Sequence, residues 1–437
     1  MELNVESESL VSTKSPRNAR CFGQRCHIFG PALMLGFFAF TLLTISGIRM
    51  LAFSRLKNAN HITVLISLDG FRADYITRGL TPALELLASD GVSLDYLQPS
   101  FPTITFPNHY TIATGLHVES HGIIANTFKN TDGKVFTYTN DTLTNDAIWW
   151  KGEPIWKTVM KNGFKSANYF WPGSNAPQHL ATYSERPFNL SITPAMKFEQ
   201  ALRWMGLDVS ERPKFIAVYI PEIDHAGHEF GPNSKQVDNA LENLNNDIQK
   251  FLDSLRASQM LEFTNLVFVS DHGMQEMVPE NIIYLDTIAD VTQFDFFSNG
   301  PVGLIYTHAD TDVESLFNSL RIISEANHFK VWIRENVPPH YYYSDSDRIS
   351  EIVILMDSEW IMSLNSKNWV PKGMHGFDPE VIDMQALFVA SGPGFRKGTK
   401  LGDMLSGLKM MHNVEVYGLL CDLMEIVASP HNGTIET

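Results

Sequence analysis

Apolar, β-branched runs alternate with amphipathic stretches over most of the chain beyond residue 60. Runs such as HITVLISL and FIAVYI have no polar alternation, which is typical of strands buried on both faces of a sheet. The predicted strands are 61–68, 165–170, 215–220, 266–270, 301–306, 330–334, 352–356 and 387–390. The predicted helices are 81–91, 153–163, 234–257, 313–326 and 414–428. This alternation predicts an α/β fold with a mainly parallel central sheet and helices on both faces.

The N-terminal region has a different pattern. Residues 28–48 form an uncharged apolar run bounded by Arg49, long enough for one helix to cross a bilayer. A cleaved signal peptide would have a shorter leader and a shorter apolar run, and a buried core helix would carry polar interruptions. We therefore predict a cytoplasmic tail at 1–27, a transmembrane signal-anchor at 28–48, a linker at 49–60 and a catalytic body at 61–437.

The expected topology is that of a single-pass type II membrane protein with a lumenal or extracellular body. The basic residues flanking the span favour this orientation only narrowly, with four before it and three after it. Three N-glycosylation sequons, at Asn140, Asn189 and Asn432, lie beyond the span and agree with it. Cys421 is the only cysteine in the body, so an internal disulfide is excluded there.

Composition limits the class of ligand. Of the 437 residues, 44% are hydrophobic and 19% are charged, as in ordinary globular proteins. The formal net charge of -16 argues against binding a nucleic acid polymer through a basic face. A phosphate group should therefore be bound locally, by metal ions or helix termini. The oligomeric state is not predicted.

Thr105 is the candidate nucleophile. It lies two positions before Pro107, and a helix-compatible run follows that ends at Gly115. Thr105 should therefore lie at or just before a helix N-terminus. The free N–H groups and the dipole of such a terminus favour an anionic ligand. Because a threonine hydroxyl is weakly acidic, it needs a metal ion or an adjacent base as activator. An ordinary N-cap threonine is the simpler interpretation of this segment alone.

Carboxylates and imidazoles at strand exits supply candidate metal ligands. Asp69 and Asp271 directly follow predicted strands, and Asp224 lies close to the end of another. Such exits converge at one edge of a parallel sheet, where ligands bind. The complete set consists of Asp69, Asp224, His228, Asp271, His272 and His375. Oxygen and imidazole donors without thiolates suit catalytic zinc.

The chain resembles the nucleotide pyrophosphatase/phosphodiesterase family of the alkaline phosphatase superfamily. The matching motifs run in the family's order from about residue 61 to residue 428. They are 68–74 (LDGFRAD), 105–110 (TFPNHY), 115–116 (GL), 121–126 (HGIIAN), 171–174 (WPGS), 224–228 (DHAGH), 270–274 (SDHGM), 374–377 (MHGF) and 413–417 (NVEVY). The resemblance implies an alkaline-phosphatase-like fold, with an insert at about 275–370.

The resemblance also implies two Zn²⁺ ions and specific residue roles. One ion would be held by Asp224, His228 and His375, and the other by Asp69, Asp271, His272 and Thr105. Asn126 would hold a phosphate oxygen. The substrate-binding residues would be Phe106, Asn126, Trp171 and Tyr183.

The implied reaction is the hydrolysis of nucleotide pyrophosphate or phosphodiester bonds through a phosphothreonine intermediate, which releases nucleoside 5′-monophosphates. The substrates would be nucleoside triphosphates or dinucleotides. Asn175 occupies a position where several nucleotide-preferring members carry an acid, which leaves base selectivity open.

Several alternative functions stay open. The same site could act on phospholipid or glycerophosphodiester headgroups, and the same fold could serve as a silent membrane-tethered binding protein. A phosphomonoesterase activity is weakly supported, because this sequence has no obvious arginine to clamp the phosphate. A sulfatase is disfavoured because no cysteine or serine stands in the C/S-x-P-x-R context.

Overall fold

The structure, a computed structural model, describes residues 61–365 and 371–435. The predicted tail, signal-anchor and linker at 1–60 lie outside the described residues. Within the described ranges, no helix has both the length and the apolar character needed to cross a membrane.

The described residues form strands and helices of widely different lengths. The strands are β1 Ile62–Leu68, β2 Val92–Ser93, β3 Tyr96–Gln98, β4 Thr127–Lys129, β5 Val135–Thr137, β6 Ser166–Tyr169, β7 Tyr183–Glu185, β8 Phe215–Ile220, β9 Thr264–Val269, β10 Gln275–Glu276, β11 Ile282–Tyr284, β12 Phe294–Asn299, β13 Val302–Thr307, β14 Phe329–Ile333, β15 Ile352–Met356, β16 Ile361–Ser363, β17 Gly373–Met374, β18 Phe388–Ser391 and β19 Met410–His412. The α-helices are α1 Pro82–Asp90, α2 Thr105–Thr114, α3 Val118–His121, α4 Asp141–Thr144, α5 Ile155–Lys161, α6 Pro194–Met205, α7 Glu222–Phe230, α8 Lys235–Ala257, α9 Val313–Ser324, α10 Lys400–Leu405 and α11 Val416–Met424.

A seven-stranded sheet forms the centre of the body, in the order β2-β18-β9-β1-β8-β6-β7. The five strands from β9 to β7 are parallel, and only β18 and β2 at one edge pair antiparallel. Every residue of β1, β8 and β9 is buried, which explains their uninterrupted apolar character. The predicted mainly parallel sheet is therefore confirmed.

Successive residues of the central strands enter two different hydrophobic cores. In β1, Leu65 packs with α2, α5 and α11 on one face, whereas Val64 and Ile66 pack with α1, α6 and α8 on the other. This alternation follows from the two-residue repeat of a strand. Helices therefore cover both faces, as predicted. The sequence interpretation omitted α6, although Thr193 caps it and Pro194 opens it.

Within the predicted insert, β12, β13, β15 and β14 form an antiparallel four-stranded sheet. One face of this sheet packs against α9, where Leu316 and Leu320 join Ile305 and Ile354 in a separate core. Leu304 and Val353 on the other face belong to the core of the body. The small sheet is thus fixed to the body through buried side chains.

Arg348 provides a polar connection between the insert and the body. Its guanidinium is almost fully buried and donates to the carbonyl oxygens of Gly122, Ile148 and Trp149. Burial lowers the pKa of this guanidinium. The three carbonyl groups flank the segments that lead to Asn126 and Trp150, so the arginine also holds two stretches of the candidate site.

Replacing Arg348 with leucine should lower the free energy of unfolding by about 3 kcal/mol or more, because three buried carbonyl groups lose their charged donor. Urea denaturation followed by tryptophan fluorescence measures this loss. Arg321→Leu is the matched control, because Arg321 forms an exposed ion pair with Glu325 on α9. That change should cost about 0.5 kcal/mol or less, and equal losses in the two variants would contradict the assigned role of Arg348.

Candidate active site

Three aspartates meet at the carboxyl edge of the central sheet. Asp69 follows β1 directly, Asp271 follows β9 after one residue, and Asp224 lies in the first turn of α7 just after β8. Because β8, β1 and β9 are adjacent parallel strands, their ends lie side by side. The sheet topology therefore brings together carboxylates that are far apart in sequence.

The six predicted ligands form two groups, each with donor atoms within 4.8 Å of one another: Asp224, His228 and His375, and Asp69, Asp271 and His272. In the first group, the Nε2 atoms of His228 and His375 lie 3.1 Å apart, and both are within 3.6 Å of Asp224 Oδ1. In the second, His272 Nε2 lies 2.9 Å from Asp271 Oδ2 and 3.5 Å from Asp69 Oδ1. The rings of His272 and His375 stack with centroids 3.5 Å apart, which joins the groups.

Backbone carbonyl groups orient all three histidines. The Nδ1 atoms of His228, His272 and His375 lie 2.8 to 2.9 Å from the carbonyl oxygens of Gly373, Gly273 and Thr103, respectively. A carbonyl oxygen only accepts hydrogen bonds, so each Nδ1 carries a proton and each Nε2 atom is directed to the site. This is the arrangement found at metal-ligating histidines.

The carboxylates also present unsatisfied atoms. Asp69 Oδ1, Asp224 Oδ1 and Asp271 Oδ2 are buried and have no hydrogen-bond partner among the described residues. The remaining oxygens of the second group are held, since Tyr219 donates to Asp69 Oδ2 at 2.5 Å and the Gly70 N–H donates to Asp271 Oδ1. Unpaired buried acceptors are costly unless a cation satisfies them.

The electrostatics and the spacing of the donors fit transition-metal ions. Burial, followed by the charges of Asp271 and Asp224, raises the pKa of Asp69 well above its usual value. Burial lowers the pKa of His375, which keeps its ring neutral. Donors placed tetrahedrally at about 2.0–2.1 Å from a Zn²⁺ ion lie about 3.4 Å apart, which is close to the observed separations.

Thr105 is the first residue of α2, and Ile104 precedes it in extended conformation. Its Oγ1 atom lies 3.3 Å from His272 Nε2, beside the second donor group. The N–H of Phe106 points to Asn126 Oδ1 at 3.0 Å, so Asn126 lies next to the helix terminus. The Thr105 hydroxyl, the N-terminus of α2 and the Asn126 carboxamide therefore lie close together.

A cavity of about 220 Å³, termed the aromatic cavity, is lined in part by Thr105 and Asp69. Its lining includes the rings of Phe106, Tyr138, Trp150, Phe170, Trp171 and Phe188. The Oδ1 atom of Asn175, which also lines it, is buried and has no hydrogen-bond partner in the described part of the chain. The cavity thus offers flat apolar surfaces and an uncharged amide.

The residues predicted to bind substrate do not all line the aromatic cavity. Phe106 lines the aromatic cavity and packs against Tyr138, with ring centroids 5.9 Å apart. Trp171 also lines it but is almost fully buried, and its Nε1–H donates to the His109 carbonyl. Tyr183 does not line the cavity, which corrects the prediction: it lies on edge strand β7 and its hydroxyl donates to the Glu211 carbonyl.

A second cavity, termed the insert-side cavity, has a volume of about 410 Å³. It shares Asn126, Tyr138, His228 and His375 with the aromatic cavity, so the first donor group lies between the two. Its remaining lining comes mainly from β11, β12, β16 and the loop before β17.

Sequence reasoning missed several residues of this region. Tyr219 lies within the apolar run of β8, and no motif distinguished it from a core residue. Its pKa is raised well above the usual value by burial and then by Asp69, so its hydroxyl remains a donor. Tyr138, Trp150 and Phe188 come from irregular segments whose spacing carries no periodic signal.

Gly70 places the backbone of the Asp69 loop against α7. Its φ is +67°, and a Cβ atom there would lie 2.8 Å from the Asp224 Cα atom. Gly70→Ala should therefore displace Asp224 and weaken metal binding by about tenfold or more, as measured by titration calorimetry. Gly79→Ala is the matched control, since φ is +71° there and nothing lies within 4 Å of the added atom. Equal metal affinity in the two variants would contradict this prediction.

Comparison with known proteins connects this geometry to a family. Residues 63–378 match the family model for type I phosphodiesterase/nucleotide pyrophosphatase. A pyrophosphatase/phosphodiesterase of Schizosaccharomyces pombe is 36% identical, over 85% of this chain and 79% of that protein. A venom phosphodiesterase of Macrovipera lebetinus is 34% identical, and this chain spans only 44% of its length.

A solved structure shows the same architecture. Murine ectonucleotide pyrophosphatase/phosphodiesterase 5, an inactive threonine-to-alanine variant in complex with AMP, aligns with a TM-score of 0.79 and 28% identity. The alignment covers 86% of this chain and 97% of the murine chain, which confirms the alkaline-phosphatase-like fold. The chain belongs to the type I phosphodiesterase/nucleotide pyrophosphatase family and is a hydrolase of that class.

Proposed function

We propose that the protein hydrolyses nucleotide pyrophosphate or phosphodiester bonds through a phosphothreonine intermediate, with two Zn²⁺ ions as cofactors and a nucleoside 5′-monophosphate as product. The observation that carries this proposal is the position of Thr105 Oγ1, 3.3 Å from His272 Nε2 at the start of α2. The murine relative that is inactive as a threonine-to-alanine variant and binds AMP supports the same assignment.

The two donor groups would hold the ions. Asp224, His228 and His375 form one set, and Asp69, Asp271 and His272 form the other, with Thr105 beside the second. When bound, the ions supply Lewis-acid charge that acidifies a hydroxyl and stabilises phosphate oxygens. The hydrogen bond from Tyr219 and the three backbone carbonyls keep the donors in place before the ions bind.

Residues of the chain itself account for the transfer of the phosphoryl group to Thr105. Thr105 Oγ1 loses its proton to solvent and attacks phosphorus, and the leaving oxygen departs with the electron pair of its P–O bond and takes up a proton from solvent. The Phe106 N–H donates to Asn126 Oδ1 in this structure. With substrate bound, this N–H and the amide N–H of Asn126 would instead donate to a non-bridging oxygen whose charge grows in the transition state. Water then cleaves the phosphothreonine, returns a proton to Thr105 and releases the monophosphate.

The aromatic cavity would receive the nucleoside. Thr105 lines it, and Phe106, Tyr138 and Phe188 supply flat faces for a base. Aromatic stacking contributes about 1–3 kcal/mol per base and tolerates different bases.

We further propose the type II membrane topology and glycosylation of the body. The sequon residues Asn140 and Asn189 support glycosylation, because both are exposed. Each lies in a turn in which its Oδ1 atom accepts a hydrogen bond from the backbone N–H two residues later. The carboxamide of Asn432 instead accepts a hydrogen bond from the His117 N–H.

Thr105→Ala should lower nucleotide hydrolysis by about 10³-fold or more, because the attacking oxygen is removed. Cleavage of the nitrophenyl ester of thymidine 5′-monophosphate measures this loss. Acid quenching with α-³²P-labelled substrate should leave label on the wild-type chain and none on the variant.

Thr114→Ala is the control for this experiment. Thr114 is buried at the other end of α2, and its hydroxyl donates to the Tyr110 carbonyl within the same helix. Its activity and labelling should match those of the wild type. Unchanged turnover in Thr105→Ala, or label on a residue other than Thr105, would contradict the nucleophile assignment.

Removing the metal ions should abolish activity and lower the melting temperature, because the buried carboxylates lose their counter-ions. Ions present at about 1,000 times their dissociation constant stabilise the folded state by about 4 kcal/mol. Mass spectrometry should find about two Zn²⁺ per wild-type chain and one fewer in His375→Ala.

The control is Asp295→Asn, which changes the exposed ion pairs of Asp295 with His308 and Lys129 and should retain the full zinc content. Activity and melting temperature that do not respond to a chelator, or wild-type zinc content in His375→Ala, would exclude this metal site.

A further inference from the structure

We propose that His109 is a positioning residue for the reaction. Its buried imidazole ties the first turn of α2 to strand β1, and this sets where the Thr105 hydroxyl lies relative to the second donor group. The inference rests on the proposed function, because it takes Thr105 as the nucleophile. The residue that anchors the imidazole on the strand is Ser67.

The two ring nitrogens of His109 bind two different elements. Nδ1 lies 2.8 Å from the carbonyl oxygen of Thr105, and it donates to this oxygen because a carbonyl group only accepts hydrogen bonds. Nε2 lies 2.7 Å from Ser67 Oγ on β1, and in the neutral ring it accepts a hydrogen bond from this hydroxyl. The imidazole therefore connects the peptide group of the nucleophile to the strand that Asp69 directly follows.

The ring also contacts the second donor group and is held in one orientation. His109 Nδ1 lies 3.3 Å from Asp271 Oδ2, and both side chains are completely buried. The rings of Trp171 and Tyr219 pack against the imidazole edge to face, with centroids 5.1 and 5.0 Å away. The Tyr219 hydroxyl in turn donates to Asp69. A ring packed on these sides is a rigid spacer between the sheet and the helix.

The start of α2 lacks a side-chain cap and needs support from elsewhere. Ile104 occupies the N-cap position and its side chain makes no capping hydrogen bond, whereas a serine, threonine, asparagine or aspartate would bind a free N–H group of the first turn. Asn108 fixes the preceding chain by donating to the carbonyl oxygens of Pro102 and Ile104. His109 connects Thr105 itself to the sheet.

His109 and Ser67 act on the reaction through the position of Thr105. Neither is among the described residues that line the aromatic cavity or the insert-side cavity, so substrate binding does not need them. Thr105 Oγ1 is the attacking oxygen of the first step and the leaving oxygen of the second, so a displaced hydroxyl slows both steps. We therefore expect kcat and kcat/KM to fall by the same factor, with KM unchanged. A displacement of about 1 Å lowers the rate by about 100-fold.

Ser67→Ala in the zinc-loaded, full-length chain tests the inference, because it removes the anchor on β1 and leaves α2 unchanged. For the nitrophenyl ester of thymidine 5′-monophosphate, kcat and kcat/KM should fall about tenfold, with unchanged KM, AMP affinity and zinc content. Ser166→Ala is the matched control: Ser166 is equally buried, its hydroxyl donates to the Trp156 carbonyl, and it begins β6 at the amino edge of the sheet. Both changes remove a buried hydrogen bond and should lower the melting temperature, but only Ser67→Ala should lower kcat.

Two amide substitutions separate the two ends of the imidazole. The side-chain amide of asparagine occupies the position of Nδ1, so His109→Asn retains a donor for the Thr105 carbonyl. The longer glutamine side chain reaches the position of Nε2 beside the Ser67 hydroxyl, so His109→Gln loses that donor. His109→Asn should lower kcat about tenfold and His109→Gln about 100-fold. A residue that only filled space would give the opposite order, because glutamine is closer to histidine in volume.

The outcomes separate this inference from the proposed function. Wild-type kcat, a raised KM or a lost zinc ion in Ser67→Ala would overturn the inference and leave the proposed function standing. A kcat in His109→Gln equal to or above that in His109→Asn would do the same, and if neither His109 variant folds, the comparison of Ser67→Ala with Ser166→Ala decides alone. A wild type that hydrolyses no nucleotide, or that carries the label on a residue other than Thr105, would overturn both.

Discussion

Three carboxylates buried at one edge of a parallel sheet are the constraint on which the rest of the structure depends. Each of Asp69, Asp224 and Asp271 leaves one oxygen without a hydrogen-bond partner, and three imidazole lone pairs point toward those oxygens. Such a set repels itself in the absence of cations. The surrounding structure resists this repulsion through short-range contacts, such as the Tyr219 hydroxyl on Asp69 and the carbonyl groups behind each histidine.

The fold could be predicted where strands are buried on both faces, because such strands require uninterrupted apolar residues. Strands β1, β8 and β9 are buried on both faces, so their apolar runs identified them, and the aspartates at or near their ends indicated the functional edge. His375 lies in a loop far along the chain from His228. No helical repeat, strand repeat or short motif spacing connects the two positions. Both were in the set of candidate ligands, but only the family motifs assigned them to the same metal ion before the structure did.

The cavities could not be predicted because their walls come from segments without a regular pattern. Phe188 follows edge strand β7, and Trp150 follows a short 3₁₀ turn, so neither has a helical or strand repeat to identify its environment. Tyr183 was assigned by a loose alignment in the same region, and a shift of five residues separates it from Phe188, whose ring lines the cavity. Tertiary contacts, rather than local propensity, decide which of these rings reaches the site.

The balance of charge explains how a protein with a net charge of -16 can act on anions. The three carboxylates contribute three negative charges, the three histidines are neutral when their Nε2 atoms bind metal, and two Zn²⁺ ions would leave one positive charge. Ionisation of Thr105 would cancel that charge, so the site would attract a phosphate before the attacking group forms. Because field lines concentrate in a narrow cleft with apolar walls, this local charge can act on a phosphate despite the acidic surface.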